Sequence, residues 1–100
     1  MLKIYFVALE MLKRLPITAI ERKDGDLARQ LRRAATSVVL NIAEGSGCCG
    51  GTRRQRYCDA LGSAREVQAC IDSSIALGYI TISGVEGLRE ITGSLVKLTR

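Results

Sequence analysis

Histidine, the commonest general base and metal ligand, is absent from the chain. Glu44, Asp59, Glu66 and Asp72 fall on neighbouring helical segments. A di-metal bundle, however, directs Glu-x-x-His pairs into its core, and no such pair exists here. Zinc sites pair ligands two to four residues apart and repeat the pair elsewhere. Of the four cysteines, Cys48 and Cys49 are adjacent, whereas Cys58 and Cys70 lie on one helical pattern at a spacing that does not converge. Free thiols are expected, and without histidine none has the partner that activates a nucleophilic cysteine. The loop Gly45–Thr52, GSGCCGGT, approaches the phosphate-cradling pattern G-x-x-x-x-G-K-[ST]. Gly51 stands where the lysine belongs, and the loop follows a helix where that motif follows a strand. No catalytic residue, metal site, cofactor or small-molecule substrate is therefore expected.

What remains is charge. Fifteen lysines and arginines against ten carboxylates give a formal net charge of +5, which permits a polyanionic partner without demanding one. Where those cations gather depends on the elements that carry them.

The 100 residues suffice for one domain, residues 1–100, with a single core. An apolar content of 47% argues against disorder. Glu10, Lys13 and Arg14 interrupt the apolar N-terminal stretch, so it does not read as a secretory signal. No run approaches the roughly 20 apolar residues of a membrane span. A soluble, cytoplasmic protein without membrane contact is expected.

Leu2, Tyr5, Phe6, Leu9 and Leu12 recur at helical spacing and predict a first helix ending before Pro16. Ile17 to Gly25 reads as a connector, with Asp24 or Asp26 as N-cap of the next helix. That second helix runs from Leu27 to Glu44. Leu27, Leu31, Ala34, Ala35, Val38 and Ile42 form its apolar stripe, and Gly45 is expected to end it. Ser37, Asn41 and Glu44, at i, i+4 and i+7, line one flank and read as a structural hydrogen-bonding set. A third helix opens with Thr52 and Gln55 as a capping box and runs to about Leu77 or Gly78. Its expected stripe is Tyr57, Leu61, Ala64, Ile71 and Ile75, flanked by Ala60 and Val67, with Gln68 inside. Ser83 and Glu86 form a second capping box before a fourth helix built on Leu88, Ile91, Leu95 and Leu98.

Four amphipathic helices on short connections predict an all-α protein, an antiparallel up-down-up-down four-helix bundle. That topology gathers Lys3, Arg53, Arg54, Arg56, Lys97 and Arg100 at one pole, against Glu44 and Asp59. The cations of the other pole are offset by Glu21, Asp24, Asp26, Asp72 and Glu86. The first set reads as a solvated end or as an anion-binding surface, and in the second case it is the candidate site for backbone phosphates of RNA or DNA. Aromatics are too scarce for a base-stacking platform. Leu40 points away from the expected core, and Cys70 and Leu77 lie off the third helix's central stripe. These three form the candidate oligomer interface, since four short helices bury little surface alone.

The run QLRRAATSVVLNIAEGSG, Gln30 to Gly47, followed by ALGSAREVQACIDSSIALGYI, Ala60 to Ile80, resembles the small bacterial four-helix-bundle proteins often encoded in intervening sequences of large-subunit ribosomal RNA genes. Those proteins show Q-L-R-R-A-x-x-S-I-P-A-N-I-A-E-G and then A-L-G-S-x-x-E-L. Gln30 to Ala34, Ser37, Asn41 to Gly45, Ala60 to Ser63 and Glu66 carry the match. Val39 stands where the family has proline, Cys48 and Cys49 replace basic loop residues, and the usual aromatic and acidic N-terminal opening is missing. The resemblance implies a homo-oligomer, a five-fold ring (homo-pentamer), with no established enzymatic activity. Related accessory variability proteins of diversity-generating retroelements pair such a basic ring with nucleic acid, which makes nucleic-acid binding the implied role. A structural assembly module that contacts only protein is the alternative.

Overall fold

The computed structural model describes residues 2–81 and 85–100. Among these residues five helices follow in order: α1 (Lys3–Arg14), α2 (Ile17–Glu21), α3 (Gly25–Ser46), α4 (Gly50–Ala76) and α5 (Leu88–Leu98). No strand occurs among the described residues. The helices pack into a body of 42 × 21 × 20 Å.

The α1 helix stops where the sequence demands it. Leu15 adopts an extended conformation, φ −63° and ψ 138°, because the ring of Pro16 disfavours a helical residue before it. Its inward face differs from the expected one. Ile4, Ala8, Met11 and Leu15 are buried, Leu2, Tyr5, Leu9 and Leu12 flank them, and Phe6 is 57% exposed. So much of the α1 surface is apolar that periodicity alone did not locate its centre, and packing against α3 and α5 decided it. The expected connector contains α2, a short helix that buries Ile20. Ile20 is also the hinge of the turn, its carbonyl accepting from the Lys23 and Asp24 amides at 2.9 and 2.8 Å.

Asp24 is the N-cap of α3: its Oδ1 accepts from the Leu27 amide at 3.0 Å. That bond satisfies one donor of the open first turn. The buried stripe is Ala28, Leu31, Ala34, Ala35, Val38, Val39 and Ile42. Gly45 does not terminate the helix, which continues to Ser46 with Gly47 as C-cap. Gly45 is instead a packing residue, because a Cβ there would sit 2.5 Å from Tyr57 Cε1.

The α4 helix begins earlier than the capping box proposed. Cys49 is its N-cap and makes no side-chain cap bond, while Gln55 donates to Asp59 at 2.9 Å. Its buried face is Tyr57, Ala60, Ala64, Val67, Cys70, Ile71 and Ser74. This face is rotated from the expected stripe, leaving Leu61 and Ile75 half-buried. Two corrections follow. Gln68 is exposed and donates to Asp72 at 2.9 Å. Cys70, expected at an oligomer interface, is 4% exposed and part of the core, so its side chain is shut away from any partner. The small residues Ala60, Ala64 and Ser74 let α3 and its neighbours approach this rotated face, which explains why the larger Leu61 and Ile75 were displaced to its border.

Gly87 precedes α5 at φ 85°, a left-handed conformation suited to glycine, and Leu88, Ile91 and Leu95 are buried behind it. The expected Ser83–Glu86 capping box includes Ser83, which lies outside the described residues. Leu98, assigned to the apolar face of the last helix, is 40% exposed.

Three long-range contacts fix α3 and α4 as an antiparallel pair: Asp24 with Tyr79, Ser37 with Ser63, and Gly45 with Tyr57. On the other side α1 lies against α5, where Lys3 meets Glu90 and Val7 meets Gly87. The α1 helix also packs on α3, and α5 on α4. The α3–α4 edge and the α1–α5 edge are therefore opposite sides of the molecule.

Candidate functional site

The most organised polar surface runs along the α3–α4 edge. The α3 helix places Ser37, Asn41 and Glu44 on one flank, as their spacing predicts. Ser63 of α4 donates its Oγ hydrogen to Ser37 Oγ at 2.8 Å. Asn41 Nδ2 donates to both the carbonyl oxygen and Oγ of Ser37, each at 3.0 Å. One turn further, the Arg56 guanidinium meets the Glu44 carboxylate at 3.0 Å. Ser37, Asn41 and Glu44, with Ser63 and Arg56, thus line a polar seam between the two helices. No buried side-chain nitrogen or oxygen among the described residues lacks a partner. The seam lines an open groove of about 530 Å³ with Arg32, Arg33, Thr36 and Leu40. Arg33 and Ser37 continue into a second groove of about 470 Å³ with Gln30, Ser63 and Glu66.

The candidate phosphate-binding cations form two sets. Residues 49–56 are all exposed, so the first two turns of α4 carry Arg53, Arg54 and Arg56 beyond the packed part of the helix. Arg53 Nε donates to the Cys48 carbonyl at 2.8 Å, which holds its side chain at the loop. Arg54 has no ion-pair partner among the described residues, and Arg56 is engaged by Glu44. The second set is Lys3 and Lys97, which line one groove with Glu90 and Leu98. Lys3 pairs with Glu90 at 3.8 Å, a carboxylate that the expected charge count of this end omitted. Arg100 is exposed. No hydrogen bond or ion pair among the described residues joins the two sets.

The remaining candidates divide clearly. Leu40 is 54% and Leu77 59% exposed, while Cys70 is in the core. Burial, and then the charge of Glu66, push the Cys70 thiol above its ordinary value. Cys49 is exposed and Cys48 and Cys58 are half-buried; all four cysteines are free thiols. Among the described residues, no group of three or more cysteines, aspartates or glutamates converges to hold a metal ion. Among the described residues no helix is long and apolar enough to cross a membrane. Sequence reasoning assigned no role to Ser63 or to the Glu44–Arg56 pair. The short side chain of Ser63 between Gly62 and Ala64 was the available signal, since only a small residue admits α3 so closely.

The fold and its seam define a small all-helical bundle-like protein organised around one long helical hairpin. The chain belongs to the 23S rRNA-intervening sequence protein family, whose model matches residues 3–100. This confirms the resemblance carried by the two motifs of α3 and α4. It is not a known enzyme family. No curated protein and no solved structure matches the chain.

Proposed function

We propose that this chain is a non-enzymatic, homo-oligomeric protein of the cytoplasm that binds the phosphate backbone of nucleic acid. In this reading α1, α3, α4 and α5 form an antiparallel up-down-up-down bundle, with α2 an interruption between the first two. The observation that carries the reading is the exposed start of α4, where Arg53 and Arg54 project without a carboxylate partner among the described residues. Lys97 and Arg100, also unpaired there, add to the same end of the bundle, and a homo-pentameric ring repeats the set around its axis.

Contacts of this kind release counterions, so affinity falls with salt by about −0.9 logarithmic units per phosphate neutralised on duplex DNA. Tyr57 is 3% exposed and offers no face for stacking, so single strands are not read base by base. The test is retention of a labelled duplex across a salt series. Replacing Arg53, Arg54 and Arg56 with alanine removes binding and flattens the slope. Replacing Arg29 and Arg32 does less, because Arg29 is paired with Asp26 and Arg32 with Glu21. Equal loss in the two variants refutes the basic-end assignment. Absence of binding by the unaltered protein at low salt favours the second reading, a structural assembly module, for which the exposed Phe6, Leu40 and Leu77 speak.

A further inference from the structure

We infer that the α3–α4 groove is the docking site for the α1–α5 face of a second copy of this chain, so that subunits associate head to tail. The inference rests on the homo-oligomeric reading above and names the two surfaces that meet. The α3–α4 groove, about 530 Å³, presents Arg32, Arg33 and Arg56 against the single carboxylate Glu44. The groove on the opposite edge, about 570 Å³, presents Glu10, Glu86 and Glu90 against Lys3 and Arg14. The two surfaces therefore carry opposite charge and similar size. Each also displays one large apolar side chain that its own subunit leaves uncovered, Leu40 at 54% and Phe6 at 57% exposure.

Pairing within each subunit sharpens the match. Arg56 is held by Glu44 at 3.0 Å and Arg32 reaches Glu21 at 3.9 Å. On the other edge Lys3 meets Glu90 at 3.8 Å, and Glu10 is held by both Lys13 at 3.2 Å and Arg14 at 3.7 Å. Among the described residues this leaves Arg33 unpaired in the first groove and Glu86 unpaired in the second. A face-to-face dimer through either groove would oppose like charges, which complementarity disfavours. Joining unlike faces relieves that repulsion and covers Leu40 and Phe6 together. A contact between two different faces propagates from copy to copy, and it ends only when the rotation closes a ring.

The test is a charge exchange followed by sedimentation at micromolar concentration, with helicity monitored by circular dichroism. Arg33 and Glu86 are exposed, so Arg33→Glu and Glu86→Arg leave helicity unchanged. Each single variant raises the dissociation concentration of the assembly about tenfold or more, and the double variant, with the charges exchanged, recovers it. If the unaltered protein is an oligomer and the double variant assembles no better than the singles, the assignment of faces is overturned while homo-oligomerisation stands. If the unaltered protein is a monomer, homo-oligomerisation itself fails, and the inference with it.

Discussion

Gly45 and Gly62 stand on facing helices, and only one of them needs to be glycine. A Cβ at Gly45 would meet Tyr57 Cε1 at 2.5 Å, whereas a Cβ at Gly62 would meet nothing within 4 Å. Alanine is worth about 1 kcal/mol over glycine in a helix interior, but overpacking costs about 1–3 kcal/mol. Tyr57 is 3% exposed, so its ring would have to shift against buried neighbours to admit the added methyl. Gly45→Ala is therefore expected to lower the unfolding free energy by about 1–2 kcal/mol, and Gly62→Ala to raise it by about 0.5–1 kcal/mol. Urea titrations of the two variants measure both, and a stabilising Gly45→Ala would show that the ring moves freely. The thiols divide by the same criterion of space. Timed alkylation read by mass spectrometry should label the exposed Cys49 first and Cys70 last, since Cys70 is buried and its thiol is raised by that burial. Reaction of Cys70 as fast as Cys49 would mean that α4 does not hold this face inward.

At the scale of the elements, Asp24 joins three of them. Its Oδ1 caps α3, while its Oδ2 accepts from the Tyr79 hydroxyl at 3.2 Å, tying the segment after α4 to the turn after α2. Asp24→Ala should cost about 1–2 kcal/mol through the cap, and Asp24→Asn, also a good N-cap, should retain most of it. Chemical denaturation distinguishes the two, and equal losses would remove the capping argument. Partial burial and the hydrogen bond to Asp24 raise the Tyr79 hydroxyl above its ordinary 10.0. A raised folded value means that the neutral form is preferred in the native protein. The contribution is therefore complete below pH 10.0 and is lost as pH rises through the folded value. Tyr79→Phe should remove this part of the alkaline loss of stability, seen as a flatter limb in denaturation midpoints above that pH.

At the scale of the whole molecule, the large apolar residues left uncovered among the described residues lie far apart in the chain: Phe6, Leu40, Leu77 and Leu98. A single exposed leucine needs no explanation, but Leu40 lines the open groove beside the seam. Leu40→Glu should leave helicity intact, since the side chain is outside the core, and should weaken self-association measured by sedimentation. An unchanged oligomer would remove Leu40 from the interface. Leu77→Glu at the far end of α4 separates this groove from the rest of the apolar surface. It weakens assembly only if the contact extends the full length of α4.

The all-α class, the stop at Pro16, the Asp24 cap and the polar flank of α3 were legible in the sequence. Each depends on chemistry within a few residues: a proline ring, a carboxylate beside an open helical turn, polar residues at helical spacing. The two motifs were legible as well, and with them the family. The α2 helix, Gly45 as a packing contact and the rotation of α1 and α4 were not. On α1 apolar residues cover so much of the circumference that periodicity permits several inward faces, and on α4 the apolar stripe is too weak to single one out. The choice belongs to the neighbours: Ala60, Ala64 and Ser74 let helices come close on α4, so Cys70 turned inward, while packing of α1 on α3 and α5 left Phe6 outward. The seam divides in the same way. Ser37, Asn41 and Glu44 share a flank because a helix repeats every 3.6 residues. Their partners Ser63 and Arg56 lie beyond a turn on a second helix, and only the antiparallel packing of α3 on α4 brings them within hydrogen-bonding distance.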